Sequence, residues 1–253
     1  MRRSLLLAAS ALIADSTAAF APAPSPLQEP SSYAAALADP ARPAEDRTRD
    51  AARHTAETLA FAQVAPGQTV TDMIIGGGYF TRVFSAAVGP EGRVTAWQPA
   101  EFIGFQASYG ESLDAVDALP NVDAIRVSLA GPELPAGQDL VFTAQNYHDL
   151  HLAMASADTA AKVNAAVFNA LKPGGLYVII DHHAAAGSPL TAADTLHRID
   201  IEAVKREVTA AGFILDAESD RLANPADPLT ASVFDPSIRG RTSQFMLRFR
   251  KPR

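Results

Sequence analysis

The chain has 253 residues, 48% of them hydrophobic and 19% charged, a net charge of −7 and no cysteine. That length holds a domain with a large core. The acidic balance, with no basic stripe or cluster of stacking aromatics, argues against nucleic acid as a partner. The missing cysteines exclude disulfides and thiolate metal sites.

Arg2 and Arg3 precede an apolar run from Ser4 to Ile13, and small residues follow through Ala18-Ala19-Phe20-Ala21. This is the layout of a secretory signal. Residues 1–21 therefore read as a signal peptide and the protein as exported, either periplasmic or secreted. The run is shorter than the roughly 20 residues that a membrane span requires. Residues 22–43 carry prolines at 22, 24, 26, 30, 40 and 43 and read as a Pro/Ala-rich linker or loosely draped arm. Residues 44–253 are left as the folded domain.

Within that domain Ala52, Ala56, Leu59 and Ala60 recur at helical spacing, which predicts one helix from Ala44 to Gln63. Pro66-Gly67 turns the chain into a first strand, Thr69 to Ile74. Gly76-Gly77-Gly78 follows, and then a helix with Phe80, Val83, Phe84 and Ala87 on its inner face. A strand–glycine–helix unit of this kind forms a ligand-binding lip, because glycine tolerates the turn and lets a ligand approach the helix N–H groups. The same glycines also serve a purely structural turn.

Further strands are predicted at Arg93 to Gln98, Val122 to Val127, Leu140 to Thr143, Leu176 to Ile180, Phe213 to Ser219 and Gln244 to Arg250. One or two helices fall between Pro99 and Leu119. Others carry Ala160, Val163, Val167 and Ala170, and Ile201, Val204, Val208 and Ala211. Lys172-Pro173-Gly174-Gly175 reads as a turn. Such alternation gives an α/β domain with a mostly parallel sheet covered on both faces. The loop 220–242 is long for a connection and reads as a lid or as a surface for a protein partner. The basic residues Arg239, Arg241, Arg248, Arg250, Lys251 and Arg253 read mainly as solvated charge on an edge strand.

The glycine turn, Asp139-Leu140-Val141-Phe142-Thr143 followed by Asn146-Tyr147-His148-Asp149-Leu150, and Leu171-Lys172-Pro173-Gly174-Gly175 together resemble class I S-adenosylmethionine-dependent methyltransferases. Gly-Gly-Gly-Tyr-Phe-Thr-Arg, Asn-Tyr-His-Asp-Leu-His and Leu-His-Arg-Ile-Asp are similar to a group of bacterial predicted methyltransferases that often bear signal peptides. The resemblance implies a Rossmann-like fold with a seven-stranded sheet in the order 3-2-1-4-5-7-6, the last strand antiparallel. It also implies S-adenosylmethionine as cofactor and a small-molecule substrate. Asp72, Gly76, Gly77, Gly78, Tyr79 and Asn146 then fall at cofactor-binding positions.

The chain departs from the family pattern at three positions, and its expected location is a fourth point against an ordinary cofactor site. Ile74 stands where the first glycine of the turn belongs. Gln98 replaces the acid that binds the ribose hydroxyls, with Glu101 three residues on as a possible substitute. Ala130 replaces the acid at the adenine amine. Export also separates the protein from a cofactor made in the cytoplasm.

His148, His151, His182 and His183 follow the fourth and fifth strands, which are neighbours if the implied order holds, with Asp149, Asp181, His197 and Asp200 nearby. Two chemistries follow. His148 or His182, with Asp181, would act as a general base in methyl transfer. Alternatively His148, His151, His182 and Asp149 would hold a divalent metal such as Zn²⁺, Fe²⁺ or Mn²⁺, in a protein that binds a ligand or serves as an assembly subunit without methylating. Adjacent His182 and His183 point to opposite sides of an extended backbone, so at most one faces the crevice. His54 reads as a surface residue.

Overall fold

A computed structural model describes residues 28–253. The expected signal peptide and residues 22–27 lie outside the described residues.

After a short 3-10 turn at Pro30–Tyr33 come α1 (Ala34–Leu37), α2 (Ala44–Arg49), α3 (Thr55–Phe61), β1 (Thr69–Met73), α4 (Tyr79–Val88) and β2 (Arg93–Pro99). Next are α5 (Ala100–Phe105), α6 (Ser108–Asp117), β3 (Val122–Val127), β4 (Gln138–Ala144), α7 (Thr159–Ala170) and β5 (Leu171–His182). The chain closes with α8 (Ala192–Leu196), α9 (Ile201–Ala210), β6 (Ile214–Ser219) and β7 (Gln244–Arg250). The sheet order is β3-β2-β1-β4-β5-β7-β6, with β7 antiparallel to both neighbours. This is the order that the family resemblance implies.

The central strands read as near-continuous apolar runs because both faces are covered. Leu140 and Phe142 of β4, with Leu176, Val178 and Ile180 of β5, face the core that α4 packs against. Val141, Tyr177 and Ile179, one residue out of step, face the opposite core with α7 and α9. The period of two along a strand thus divides the interior into two layers.

Four expectations change. The proline-rich stretch is not a loose arm from Pro30 onward. Tyr33 is buried and its hydroxyl bonds the carbonyl of Val64 at 2.7 Å, while Arg42 is buried and forks onto Asp50 at 2.6 and 2.9 Å. The helix expected over 44–63 is two helices. His54 takes a left-handed φ of 46°, and the restarted chain bonds Thr55 N–H to the Asp50 carbonyl at 3.1 Å.

Lys172-Pro173-Gly174-Gly175 belongs to β5 rather than to a turn before it. Gly174 sits at φ 83°, and a Cβ on Gly175 would lie 2.9 Å from the Lys172 carbonyl oxygen, so the bend there needs small residues. Arg239, Arg241 and Arg253 are exposed as expected, but Arg248, Arg250 and Lys251 are not edge charge, because β7 is an interior strand. Arg248 and Arg250 both pair with Asp216 of β6, at 2.6 and 2.9 Å, and Lys251 Nζ donates to the Phe168 and Leu171 carbonyls.

Candidate functional site

The parallel strands β1, β4 and β5 end at one rim, where open α/β sheets bind ligands. A cavity of about 780 Å³ lies there. One end is the glycine turn after β1, and the other is a group of imidazoles and carboxylates after β4 and β5.

At the first end Ile74 adopts φ 62°, a conformation a β-branched residue enters only under strain. Its backbone therefore keeps a glycine-like shape while its side chain packs with Trp97 and Phe102. Gly76 and Gly77 line the cavity, and a Cβ added to either meets nothing within 4 Å, so their backbone is open to a ligand. Gly78 is different. Its φ is 74° and a Cβ would lie 2.6 Å from Val116, so this glycine serves the turn itself.

The polar groups expected to hold cofactor here are mostly engaged by the protein. Asp72 lines the cavity but accepts from Thr81 Oγ1 at 2.6 Å, and burial pushes its pKa up to about 7. Tyr79 borders the cavity with its ring, while its hydroxyl is taken by Asp50 and Thr55 at 2.5 and 2.6 Å; burial raises its pKa to about 12. Phe80, expected only in the core, lines the cavity as well. Asn146 Nδ2 donates to the Ile74 and Ala144 carbonyls at 2.8 and 2.7 Å and so clasps the ends of β1 and β4.

Gln98 is fully buried beneath the turn. Its Oε1 accepts the Gly76 N–H at 3.3 Å and its Nε2 has no partner. Glu101 does not reach back to the cavity as expected. It accepts from Ser128 Oγ and the Leu129 N–H at 2.6 and 3.1 Å, tying α5 to the segment after β3. Ala130 lies on a separate hollow beside α7, and this side of the cavity is walled instead by Phe102, Phe105 and Tyr109.

At the other end Asp181, fully buried at the end of β5, accepts from the His148 N–H at 2.7 Å, His148 Nδ1 at 2.8 Å and the His182 N–H at 2.7 Å. Burial by itself would raise its pKa. The imidazolium charge of His148 and the hydrogen bonds outweigh burial and hold the carboxyl below its usual range. His148 is correspondingly pushed up to about 9 despite its burial. The Asp181 carboxylate thus favours the protonated, donating form of His148 over the ready base expected from the sequence.

His148 Nε2 points to the cavity, 3.2 Å from Asp149 Oδ1 and 3.3 Å from His197 Nδ1. His182 also lines the cavity, its Nδ1 bonded to Thr242 Oγ1 at 2.8 Å, and burial pushes its pKa down to about 4.

The expected metal set is not assembled. His151 is held by Glu207 of α9 at 3.0 Å, and His182 by Thr242. Among the described residues, His148, Asp149 and His197 are the group whose ligand atoms converge, all within 4.8 Å of one another. His183 turns away onto Phe245, as alternation predicts, and Asp200 caps α9.

The sequence signal for His197 is weak. It follows a five-residue helix and takes a left-handed φ of 53°, so only the tertiary fold brings it to His148. The loop 220–242 forms a cavity wall through Val233 and Phe234, and the Phe234 ring lies 4.7 Å from that of His197. A fully buried Arg198–Asp227 pair at 2.9 Å pins the loop.

No protein-family model and no curated protein matches this sequence. Solved structures do match at low identity. A SAM-dependent methyltransferase from Aquifex aeolicus is similar over 88% of this chain and 99% of its own, with TM-score 0.56 and 19% identity. A putative sarcosine dimethylglycine methyltransferase from Galdieria sulphuraria is similar over 82% and 88%, at 0.56 and 15%. A possible exported protein from Bordetella parapertussis is similar over 81% and 68%, at 0.54 and 14%. Together with the strand order, these establish the architecture of the chain.

Proposed function

Given a chain with the class I S-adenosylmethionine-dependent methyltransferase fold, we propose that it methylates a small molecule held in the rim cavity. One observation carries the reading: a single cavity of about 780 Å³ joins an open glycine lip to a cluster of histidines, so a methyl donor and an acceptor have room side by side.

The residues at the lip fit the cofactor in part. Gly76 and Gly77 leave space over their backbone, Asp72 lies at the floor, Phe102, Phe105 and Tyr109 offer an apolar wall, and Gln98 Nε2 is a buried donor without a partner. A diol-binding carboxylate is missing, which favours weak binding. When bound, the cofactor supplies an electrophilic methyl group.

This chain's own residues then orient the acceptor and take its proton. His148, fixed by Asp181, donates to the acceptor or to His197. In the tautomer that gives Nδ1–H to Thr242, His182 Nε2 is the proton acceptor. This reading uses the loop 220–242 as a lid on the cavity, supported by Val233 and Phe234 in its wall.

Isothermal titration of the chain with S-adenosylmethionine tests the reading. Heat with about micromolar affinity supports it, and silence at millimolar cofactor retires it. What would remain is a protein of this fold that binds a ligand without methylating, the reading that Ile74 and Gln98 favour. Export is proposed from residues 1–21 alone. Fractionation of the source cells and the mass of the mature chain would check it.

A further inference from the structure

We propose that His148 Nε2, His197 Nδ1 and Asp149 Oδ1 form a binding site for one first-row divalent cation, Zn²⁺, Mn²⁺ or Fe²⁺, with its open positions facing the cavity. Ligand atoms about 2.0–2.2 Å from a shared ion lie roughly 3–3.5 Å apart in a tetrahedral or facial arrangement. The separations from His148 Nε2 are 3.2 Å to Asp149 and 3.3 Å to His197. Two imidazoles and one carboxylate suit borderline cations better than Mg²⁺ or Ca²⁺, which prefer oxygen.

The surroundings support a ligand set rather than a chance cluster. His148 Nδ1–H donates to buried Asp181 at 2.8 Å, the outer hydrogen bond that orients metal-ligating imidazoles, and Nε2 ligates by giving up its proton to the incoming ion, in place of its donor role in the metal-free site. Asp149 is mostly buried, yet among the described residues no N–H or O–H reaches its carboxylate except the His148 imidazole. His197 is held in a left-handed backbone, its ring perpendicular to that of His148. All three line the cavity.

What the ion does in catalysis rests on the methyltransferase reading. It would acidify an acceptor bearing an oxygen or nitrogen lone pair, which offsets the weak basicity of His182. The site itself does not depend on that reading.

Chelator-stripped full chain, titrated calorimetrically with Zn²⁺ and with Mn²⁺, is the test. The expected result is one ion per chain at about micromolar Kd or tighter, weakened at least about tenfold in Asp149→Asn and in His197→Ala and unchanged in His54→Ala. Circular dichroism confirms that each variant is folded, and Co²⁺ absorption reports the ligand geometry. No binding by the unsubstituted chain, or binding that both cavity substitutions leave intact, overturns the site. Titrating the same samples with S-adenosylmethionine separates the two readings: ion without cofactor retires methyl transfer alone, and cofactor without ion retires the metal centre alone.

Discussion

The two ends of the cavity are built on opposite plans. At the glycine end nearly every polar side chain is satisfied by the protein: Asp72 by Thr81, Tyr79 by Asp50 and Thr55, Glu101 by Ser128, Asn146 by two carbonyls. At the histidine end Asp181 takes three N–H donors, and the His148 Nε2, the Asp149 carboxylate and the His182 ring that surround it line the cavity. Buried polar groups that are fully paired rigidify a scaffold. Unpaired ones beside a cavity mark where a ligand completes them. The first end therefore shapes the cavity, and the second is where the proposed chemistry falls.

The largest expected effect comes from removing the group that orients the second end. Asp181→Ala leaves the His148 charge and two N–H groups buried without their acceptor, a change that costs roughly 3–5 kcal/mol. Thermal unfolding should show a large loss of stability, and ion binding should weaken together with it. A variant as stable as the parent would mean that Asp181 does not organise this end.

Asp72 makes the counterpart test at the first end. Its folded pKa of about 7 lies above the unfolded value, so the folded state binds the extra proton. Stability is then full below about pH 4 and falls as pH rises to 7, by roughly 3–4 kcal/mol at 1.36 kcal/mol per unit. Asp72→Asn should match the parent near pH 4 and exceed it by up to that amount at pH 8. An equal gap at both pH values would show that the carboxyl titrates normally.

The smallest net effect is expected at Ile74. Ile74→Gly relieves about 1–2 kcal/mol of left-handed strain but forfeits about 2–5 kcal/mol of buried side chain, for a net loss of roughly 0–4 kcal/mol, centred near 2. The same change should tighten S-adenosylmethionine binding, by about tenfold. Gln98→Asp, the other restoration the family pattern suggests, would bury a carboxylate beneath the turn and is expected to cost stability. Unchanged or weaker affinity in Ile74→Gly would place the cofactor elsewhere.

Much of the fold was legible in the sequence because apolar runs and their breaks report burial directly. β3 falls where the apolar pattern ends at Val127, and α7 where Ala160 to Ala170 repeats. The break at His54 was hidden, since no glycine or proline marks it and the chain leaves the helix to wrap around Tyr79. The histidine end was legible as a neighbourhood but not as a geometry. His148 and His151 share a helical turn, yet Glu207, 56 residues on, captures His151. His197 arrives through a chain reversal that no periodicity encodes. The roles of Gln98, Glu101 and Asn146 likewise depend on partners fixed only by the folded chain.

Asp50 grips Arg42 on one side and the Tyr79 hydroxyl on the other. The stretch before the first strand is thus a strut beneath the glycine lip. A shortened chain beginning at Ala44, where composition first suggests a domain, would remove Arg42 and Tyr33 together and leave the strut without its anchor. A shortened version meant to keep this strut should therefore retain the chain from Pro30 onward.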